Sequence, residues 1–383
     1  MISAEVVRET VLPFGLQPML WEGSFNGKEC SLHQLAPYVG KLKSGMVTAL
    51  LDEFTDPGDI VLDPFAGSGV VPLQALMQGR KAWANDLSDY AHALTLGKLS
   101  APSTLNEALG QVEAVAAQVR KAAPGRCVDG VPAWVSAFFH PETLKETLVA
   151  FDACREMNLP FVQACMLGIL HHVRPGFLSY PASHLTPYLR IKKYPIAEFP
   201  EMYEYRDVAS RLRAKVARAY RRPPDSTWNS RDFRVDRVNS MELSYEDVSV
   251  DAVISSPPYF GALDYARDNR LRLWFLGVDQ WRELDKSLTA SAAAYLPQMR
   301  KCLTEMHRVL KPGGACILVL GDVNRDGKMK ETAEIISREA AEVTSGGLQT
   351  SRIVVDEIPD DRRSRRRTVT TKYEKILVMR KSG

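Results

Sequence analysis

The sequence predicts an α/β fold in which a mostly parallel sheet carries helices on both faces and is interrupted by a mainly helical insertion. Three observations predict it. The apolar run Ile60-Val61-Leu62 feeds a glycine turn, Gly67-Ser68-Gly69, and then a helix, which is the layout of a nucleotide-cradling crossover. A second apolar run, Val250 to Ile254, stops abruptly at Ser255-Ser256-Pro257-Pro258. Between the two, from about 101 to 234, the alternation of strand and helix lapses, and afterwards it resumes.

Residues 1–31 are irregular, punctuated by Pro13, Gly15, Pro18, Gly23 and Gly27. A helix is expected from Ser44 to Phe54, then a turn at Asp56-Pro57-Gly58-Asp59 and the first strand. The helix after the glycine turn runs from Val71 to Met77 and ends at Gly79; the next strand, Lys81 to Asn85, ends in Asp86. The insertion reads as helices from Leu105 to Ala123, Pro141 to Met157, Phe161 to His172 and Ala209 to Arg222. Alternation resumes at Phe233-Arg234-Val235. After the proline stop, a helix opens near Asp264, and a longer one runs from about Ala292 to Leu310. Lys311-Pro312-Gly313-Gly314 ends that helix and leads into the apolar strand Ala315 to Leu320. A helix from Thr332 to Ala341 follows. The closing strands, Arg352 to Ile358 and Tyr373 to Met379, flank a run of arginines expected in a hairpin loop.

At 383 residues the chain can hold one large domain or two medium ones. No apolar run is long enough to span a bilayer, and Met1-Ile2-Ser3-Ala4-Glu5 lacks a signal peptide's basic-then-apolar layout, so a soluble, cytoplasmic protein is expected. The six cysteines form no C-x-x-C pair and the seven histidines no H-E-x-x-H, so neither a disulfide framework nor a metal site is expected. Net charge is only +3, but from Arg190 to Arg234 twelve Lys and Arg face six Asp and Glu. Just upstream and within this stretch, Tyr180, Tyr188, Tyr194 and Tyr205 alternate with Arg174, Arg190, Lys192 and Lys193, a pattern that suits phosphate contacts with base stacking and equally suits an insertion filling its own core.

Two motifs carry chemistry. In the first, Asp63 precedes the glycine turn, and Pro72 stands where a dinucleotide fold would have its third glycine. An acid there repels a pyrophosphate but balances a ligand bearing an ammonium and a sulfonium, which favours S-adenosylmethionine over NAD. Asp86 lies at the spacing of a ribose-hydroxyl acceptor. In the second, Ser256, Pro257 and Tyr259 present a hydroxyl, a rigidly held carbonyl and an aromatic face at a strand's carboxyl end. That set suits a planar group carrying an NH2: two acceptors for its N–H bonds and a ring to stack on it.

Asp63-Pro-Phe-Ala-Gly-Ser-Gly with Ser256-Pro-Pro-Tyr resembles the S-adenosylmethionine-dependent DNA methyltransferases that modify exocyclic amino groups. Pro37-Tyr38-x-x-Lys41, Arg308 to Gly314 and Tyr373 to Val378 are similar to further elements of that family, and the resemblance covers about 1–100 and 235–383. It implies a Rossmann-like class I methyltransferase domain with a mostly parallel, seven-stranded sheet. An N-terminal arm and cofactor half would occupy 1–100, a target-recognition insertion 101–234, and a catalytic half 235–383. It implies S-adenosylmethionine and no metal, with the cofactor held by Tyr38, Lys41, Asp63, Phe65, Ala66, Gly67, Ser68, Gly69, Asp86 and Asn239. Asn239 departs from the Asp common at that motif. Ser256, Pro257, Pro258 and Tyr259 would act on a flipped base, and Arg190, Lys192, Lys193, Arg365 and Arg366 would contact DNA. The implied partner is double-stranded DNA, with nucleoid association and room for a cognate restriction endonuclease.

Family members with Asp or Asn in place of Ser256 tend to act on adenine N6, so Ser256 leans to cytosine N4. The chain has no Pro-Cys dipeptide for cytosine C5 chemistry. The alternatives are adenine N6, an RNA amino-group methyltransferase, a protein-glutamine methyltransferase, and an inactive DNA-binding protein that has kept the fold.

Overall fold

The computed structural model describes Trp21 and residues 29–184, 186–224, 232–258, 265–288, 294–325, 328–357 and 373–383. The expected irregular arm up to residue 28, Tyr259 and the arginine run from 362 to 367 lie outside these, apart from Trp21. The strands are β1 Ile60–Asp63, β2 Lys81–Asn85, β3 Phe233–Asp236, β4 Val250–Ser255, β5 Leu310–Gly321, β6 Val323–Arg325, β7 Lys328–Lys330, β8 Leu348–Glu357 and β9 Tyr373–Lys381. The helices are α1 Ser44–Phe54, α2 Val70–Met77, α3 Asp89–Leu99, α4 Leu105–Ala122, α5 Ala133–Ser136, α6 Pro141–Glu156, α7 Pro160–Ile169, α8 Val208–Ala219, α9 Tyr265–Phe275, α10 Trp281–Leu288, α11 Tyr295–Val309 and α12 Thr332–Val343.

Seven strands form one sheet in the order β3-β2-β1-β4-β5-β9-β8. β3, β2, β1, β4 and β5 run parallel; β9 is antiparallel to both β5 and β8. β6 and β7 pair separately as a short antiparallel ribbon. Strand order reverses between β1 and β4, so the crossovers leave β1 and β4 toward opposite sides and open a crevice at their carboxyl ends.

The sheet is covered on both faces, as its apolar strands require. Alternate residues of β5 divide cleanly. Ala315, Ile317 and Val319 join a core shared with α1, α2, α3 and the helices from α4 to α9. Cys316, Leu318 and Leu320 join a core shared with α11 and α12. The helices of the insertion therefore share one apolar cluster with the first half of the chain.

The structure corrects several expected boundaries. α3 has no counterpart in the sequence reading, because eight of its eleven residues, including Lys98, are buried and it shows no polar stripe. The α7 helix stops at Ile169 rather than His172, since the N–H groups of Leu178 and Ser179 take the carbonyls of Ile169 and Leu170. α11 starts at Tyr295 and ends at Val309. Strand pairing begins at once at Leu310, so Lys311 to Gly314 form a bulge inside β5 rather than a separate loop, with Gly313 at φ 76°.

α3 and α7 cross where Gly97 has no side chain: a Cβ there would lie 2.4 Å from Ala164 Cβ and 2.8 Å from the Pro160 carbonyl oxygen. Helix propensity alone favours alanine over glycine by about 1 kcal/mol. Overpacking of this kind costs about 1–3 kcal/mol. Gly97→Ala is therefore expected to lower the melting temperature; a rise in calorimetry would show that the crossing has slack.

Candidate active site

β1 ends in Asp63, which is 3 % exposed. Its Oδ1 accepts from the Ser255 hydroxyl at the end of β4 (2.6 Å) and from the Phe65 N–H (3.1 Å). This joins the two strand ends at the switch point. The turn that follows needs its glycines: Gly67 has φ 51°, and its missing Cβ would meet the Tyr38 ring at 3.1 Å. Gly69 has φ 70°, and its Cβ would meet Thr95 Oγ1 at 2.8 Å. Asp86, just past β2, receives the N–H of Gly67 (2.8 Å) and of Ser88 (2.9 Å). Burial pushes the Asp63 carboxyl up to about 7 and that of Asp86 up to about 6. Among the described residues neither is paired with a Lys or Arg.

The loop after β3 is drawn in by Asn85. Its side chain donates to the carbonyls of Pro64 (3.3 Å) and Val238 (3.0 Å) and accepts from the Val238 N–H (2.9 Å). Ser240 also donates to Pro64 (2.7 Å). Asn239 is thereby set beside the turn, its side-chain oxygen accepting from the Met241 N–H. Beyond β4, the Ser256 hydroxyl donates to the Val319 carbonyl at 3.1 Å, which leaves its lone pairs as acceptors.

These pieces enclose one cavity of about 1130 Å³, open solvent at its mouth included. It gathers Tyr38, Lys41, Asp63, Phe65, Ala66, Gly67, Ser68, Asp86 and Asn239 from the expected cofactor set, and Ser256 and Pro258 from the expected catalytic set. Gly69 sits behind it as the N-cap of α2, and Pro257 is buried next to the two lining residues. Tyr259, Arg365 and Arg366 lie outside the described residues. Lys192 and Lys193 are exposed on the insertion and Arg190 half-buried there, away from this lining. Among the described residues no cluster of His, Cys, Asp or Glu could hold a metal.

The cavity fits a mixed-charge ligand. The cavity lining carries the buried Asp63 and the half-buried Asp86, and Lys41 supplies an amine in the same lining. Ser68 belongs to the cavity lining, and its hydroxyl is buried with no hydrogen-bond partner among the described residues. A dianionic pyrophosphate would meet both acids.

Sequence reasoning missed three supports. Ser255, which anchors Asp63, reads only as part of the proline stop. α11 lines the cavity with Gln298, Met299 and Cys302, which look like ordinary helix positions. Lys98 on α3 is 1 % exposed, and its Nζ donates to the Ser68 carbonyl of the glycine turn. One turn earlier Thr95 donates to the Gly67 carbonyl (3.4 Å). A lone lysine in the apolar run Ala93-Leu94-Thr95-Leu96-Gly97-Lys98-Leu99 was the available signal.

Burial pushes the Lys98 amine down to about 7 from its ordinary 10.5. The unfolded chain then binds the extra proton between these values, so this group makes stability rise with pH across that interval. Lys98→Met should remove this gain. Its melting temperature relative to the parent is expected to be highest below pH 7 and to lose ground towards pH 10; parallel pH profiles would refute a buried titrating amine.

The profile described as DNA methylase, the N6/N4 family, matches residues 31–96 and 250–383. No curated protein matches the chain. Among solved structures, TrmN from Thermus thermophilus is similar at 12% identity over 91% of this chain and 52% of that one, with a TM-score of 0.34. A candidate DNA modification methylase, also from Thermus thermophilus and solved with S-adenosyl-L-methionine, is similar at 22% identity over 38% of this chain and 51% of that one, TM-score 0.25. A SAM-dependent methyltransferase from Methanosarcina mazei reaches 11% identity over 87% of this chain and 97% of that one, TM-score 0.35. The chain spans about half the length of the first two. Scores this low add nothing to the fold already seen, and the weight falls on the profile. It takes in more than half of the residues, with the glycine turn and the Ser-Pro-Pro-Tyr stretch both inside it, and the chain belongs to the N6/N4 DNA methylase family.

Proposed function

We propose that this protein transfers a methyl group from S-adenosylmethionine to the exocyclic amino group of a flipped base in double-stranded DNA, and that the base is cytosine, modified at N4. The observation that carries this reading is that one cavity at the sheet's switch point is lined by the glycine turn, by Asp63 and Asp86, and by Ser256 and Pro258. When bound, S-adenosylmethionine supplies an electrophilic methyl group. Asp86 is placed to take the ribose hydroxyls, Asp63 to face the cationic part, and Lys41 and Ser68 to meet the carboxylate.

The remaining work falls to the strand end after β4. Ser256 keeps acceptor lone pairs because its proton is spent on Val319. The Pro257 carbonyl, in a stretch that proline holds rigid, is the second acceptor. Two acceptors on an amino group draw its nitrogen toward sp3 character and aim its lone pair, so the chain contributes alignment rather than a covalent intermediate. Tyr259, next in sequence, is assigned the stacking face. Arg190, Lys192 and Lys193 on the insertion and Arg365 and Arg366 near the C-terminus are assigned to the DNA backbone, and residues 101–234 to target recognition. No helix among the described residues is long and apolar enough to cross a membrane, which agrees with a protein that works on DNA in the cytoplasm. A companion endonuclease is compatible with this reading.

The test is methyl transfer from labelled S-adenosylmethionine to unmodified DNA and, in parallel, to bulk tRNA, with nucleoside mass spectrometry of the products. N4-methylcytosine is expected, and Ser256→Ala should lower kcat about a hundredfold with little change in cofactor Kd. N6-methyladenine would keep the chemistry and overturn the base assignment; label in RNA alone would overturn the substrate.

Cofactor binding should also depend on pH. With folded values raised to about 7 and about 6, Asp63 and Asp86 carry protons in acid and ionise as pH rises. A cationic ligand favours their ionised forms and displaces those protons. The Kd for S-adenosylmethionine is therefore expected to fall between pH 5 and pH 8, with proton release visible by calorimetry in buffers of different ionisation enthalpy. A flat profile would remove both carboxylates from the cation's surroundings.

A further inference from the structure

The insertion is clamped to the helix that follows the catalytic stretch. Ala182 and Leu189 form an isolated antiparallel bridge, and the Ser183 N–H donates to the Tyr188 carbonyl at 3.0 Å. α9, the first described helix after Pro258, holds this bridge at two points. Thr186 donates to Asp268 (2.5 Å), and Arg270 donates to the Pro187 carbonyl (2.5 Å). The Arg270 guanidinium lies over the Trp134 ring at 5.8 Å, so Trp134, Arg270 and the Pro187-Tyr188 step form one continuous surface.

That surface mixes exposed rings with unpaired cations. Tyr188 is 50% exposed, Trp134 38% and Ile191 52%. Arg190 lies over Tyr188 at 5.9 Å, and Lys193 over Tyr194 at 5.6 Å. Among the described residues none of Arg190, Lys192, Lys193 and Arg270 forms an ion pair, whereas Arg213, Arg234, Arg237, Arg300 and Arg308 all do. Leaving rings of this size in water is uncommon without a partner, and leaving the cations beside them uncompensated calls for an anionic one.

We propose that this surface grips unpaired nucleotides of the DNA strand, with Trp134 and Tyr188 stacking bases on either side of the target and Arg190, Lys192, Lys193 and Arg270 taking their phosphates. The proposal rests on the DNA reading above and narrows it: where the duplex opens around the flipped base, this surface engages the nucleotides that have left their complement. Duplex DNA hides its base faces inside the stack, so a surface for matched duplex needs cations and groove-reading groups but gains little from flat exposed rings. A single strand offers every base's π-face together with its phosphate, and rings flanked by cations match both.

The experiment is fluorescence anisotropy of the full chain with a labelled oligonucleotide, single-stranded and as the perfectly matched duplex, at one fixed salt concentration. The double variant Trp134→Ala/Tyr188→Ala is expected to bind the single strand at least tenfold more weakly and the duplex less than threefold more weakly. Trp134→Phe/Tyr188→Phe keeps the π-faces and should bind both like the parent, which guards against a folding defect. Arg190→Gln/Lys192→Gln/Lys193→Gln should weaken both forms. Equal losses of the aromatic double variant on the two forms would show that the rings serve DNA without preferring unpaired bases, and no loss on either would show that the rings touch no DNA; each overturns the proposal. Calorimetric S-adenosylmethionine binding by the same variants reads the cavity separately: unchanged cofactor affinity with no stacking effect sinks this inference alone. Failure of the parent to bind cofactor or methylate any DNA strikes at the function itself.

Discussion

The hydrogen bond from Ser255 to Asp63 is the constraint on which the site depends. It spans the point where the sheet reverses its order, and it is made in a dry environment, where such a bond is strong and its loss costly. Two chain segments separated by nearly two hundred residues end at this bond. On one side begins the glycine turn; on the other, the next residue is Ser256. Holding Asp63 against Ser255 therefore fixes the glycine turn relative to Ser256 across the cavity. The parallel pairing of Val61 with Ala252 and Leu62 with Val253 repeats the same register one step deeper, so it is enforced by packing as well as by polarity.

Around this joint the protein keeps charge where burial opposes it. Among the described residues Asp63 and Asp86 have no Lys or Arg partner, and Lys98 meets a carbonyl instead of a carboxylate. An ordinary fold would pair Lys98 with one of the acids. Here they are held apart by the glycine turn, with the lysine behind it and the acids in front. The result is a loop that presents two carboxyls with raised pKa values to the cavity, groups that lose their protons as pH rises.

Much of this arrangement was legible in the sequence because it lies in short runs whose chemistry is local. The strand, the turn and α2 read directly from Ile60 to Met77, since Gly67 and Gly69 mark left-handed backbone and Asp63 sits four residues before Gly67. The proline stop after β4 read as a ligand edge for the same reason. What escaped was set by tertiary contact. α3 is buried on nearly all sides, so it has no amphipathic period to detect. Lys98 looks like any surface lysine until α7 covers α3 through Gly97 and Ala164. The bulge from Lys311 to Gly314 reads as a loop, because only the partner strand β4 shows that pairing continues across it. Met299 and Cys302 became cavity residues through the angle at which α11 approaches the sheet, which no single helix encodes.

The two halves of the chain are also tied by a column of side chains. The Tyr38 ring that closes over Gly67 stacks on Tyr90 (5.9 Å between centroids, 23° between planes), and the Arg272 guanidinium lies 5.3 Å from the centre of the Tyr90 ring. Arg272 is 1 % exposed and has no carboxylate partner among the described residues; it is met by the Leu167 carbonyl, by Asn269 and by the ring face. A fully buried guanidinium is an expensive choice against a packed apolar side chain, so its value lies in direction rather than in net stability. It comes from α9, the helix that also clamps the bridge of the insertion through Asp268 and Arg270. A small rotation of α9 would break the bond to the Leu167 carbonyl on α7 and strand a charge in the core, so α9 is held in one orientation; the Asn269 bond lies within α9 and turns with it. The wall of the cofactor cavity, the helix after the catalytic stretch and the aromatic surface of the insertion are therefore placed relative to one another by a single element.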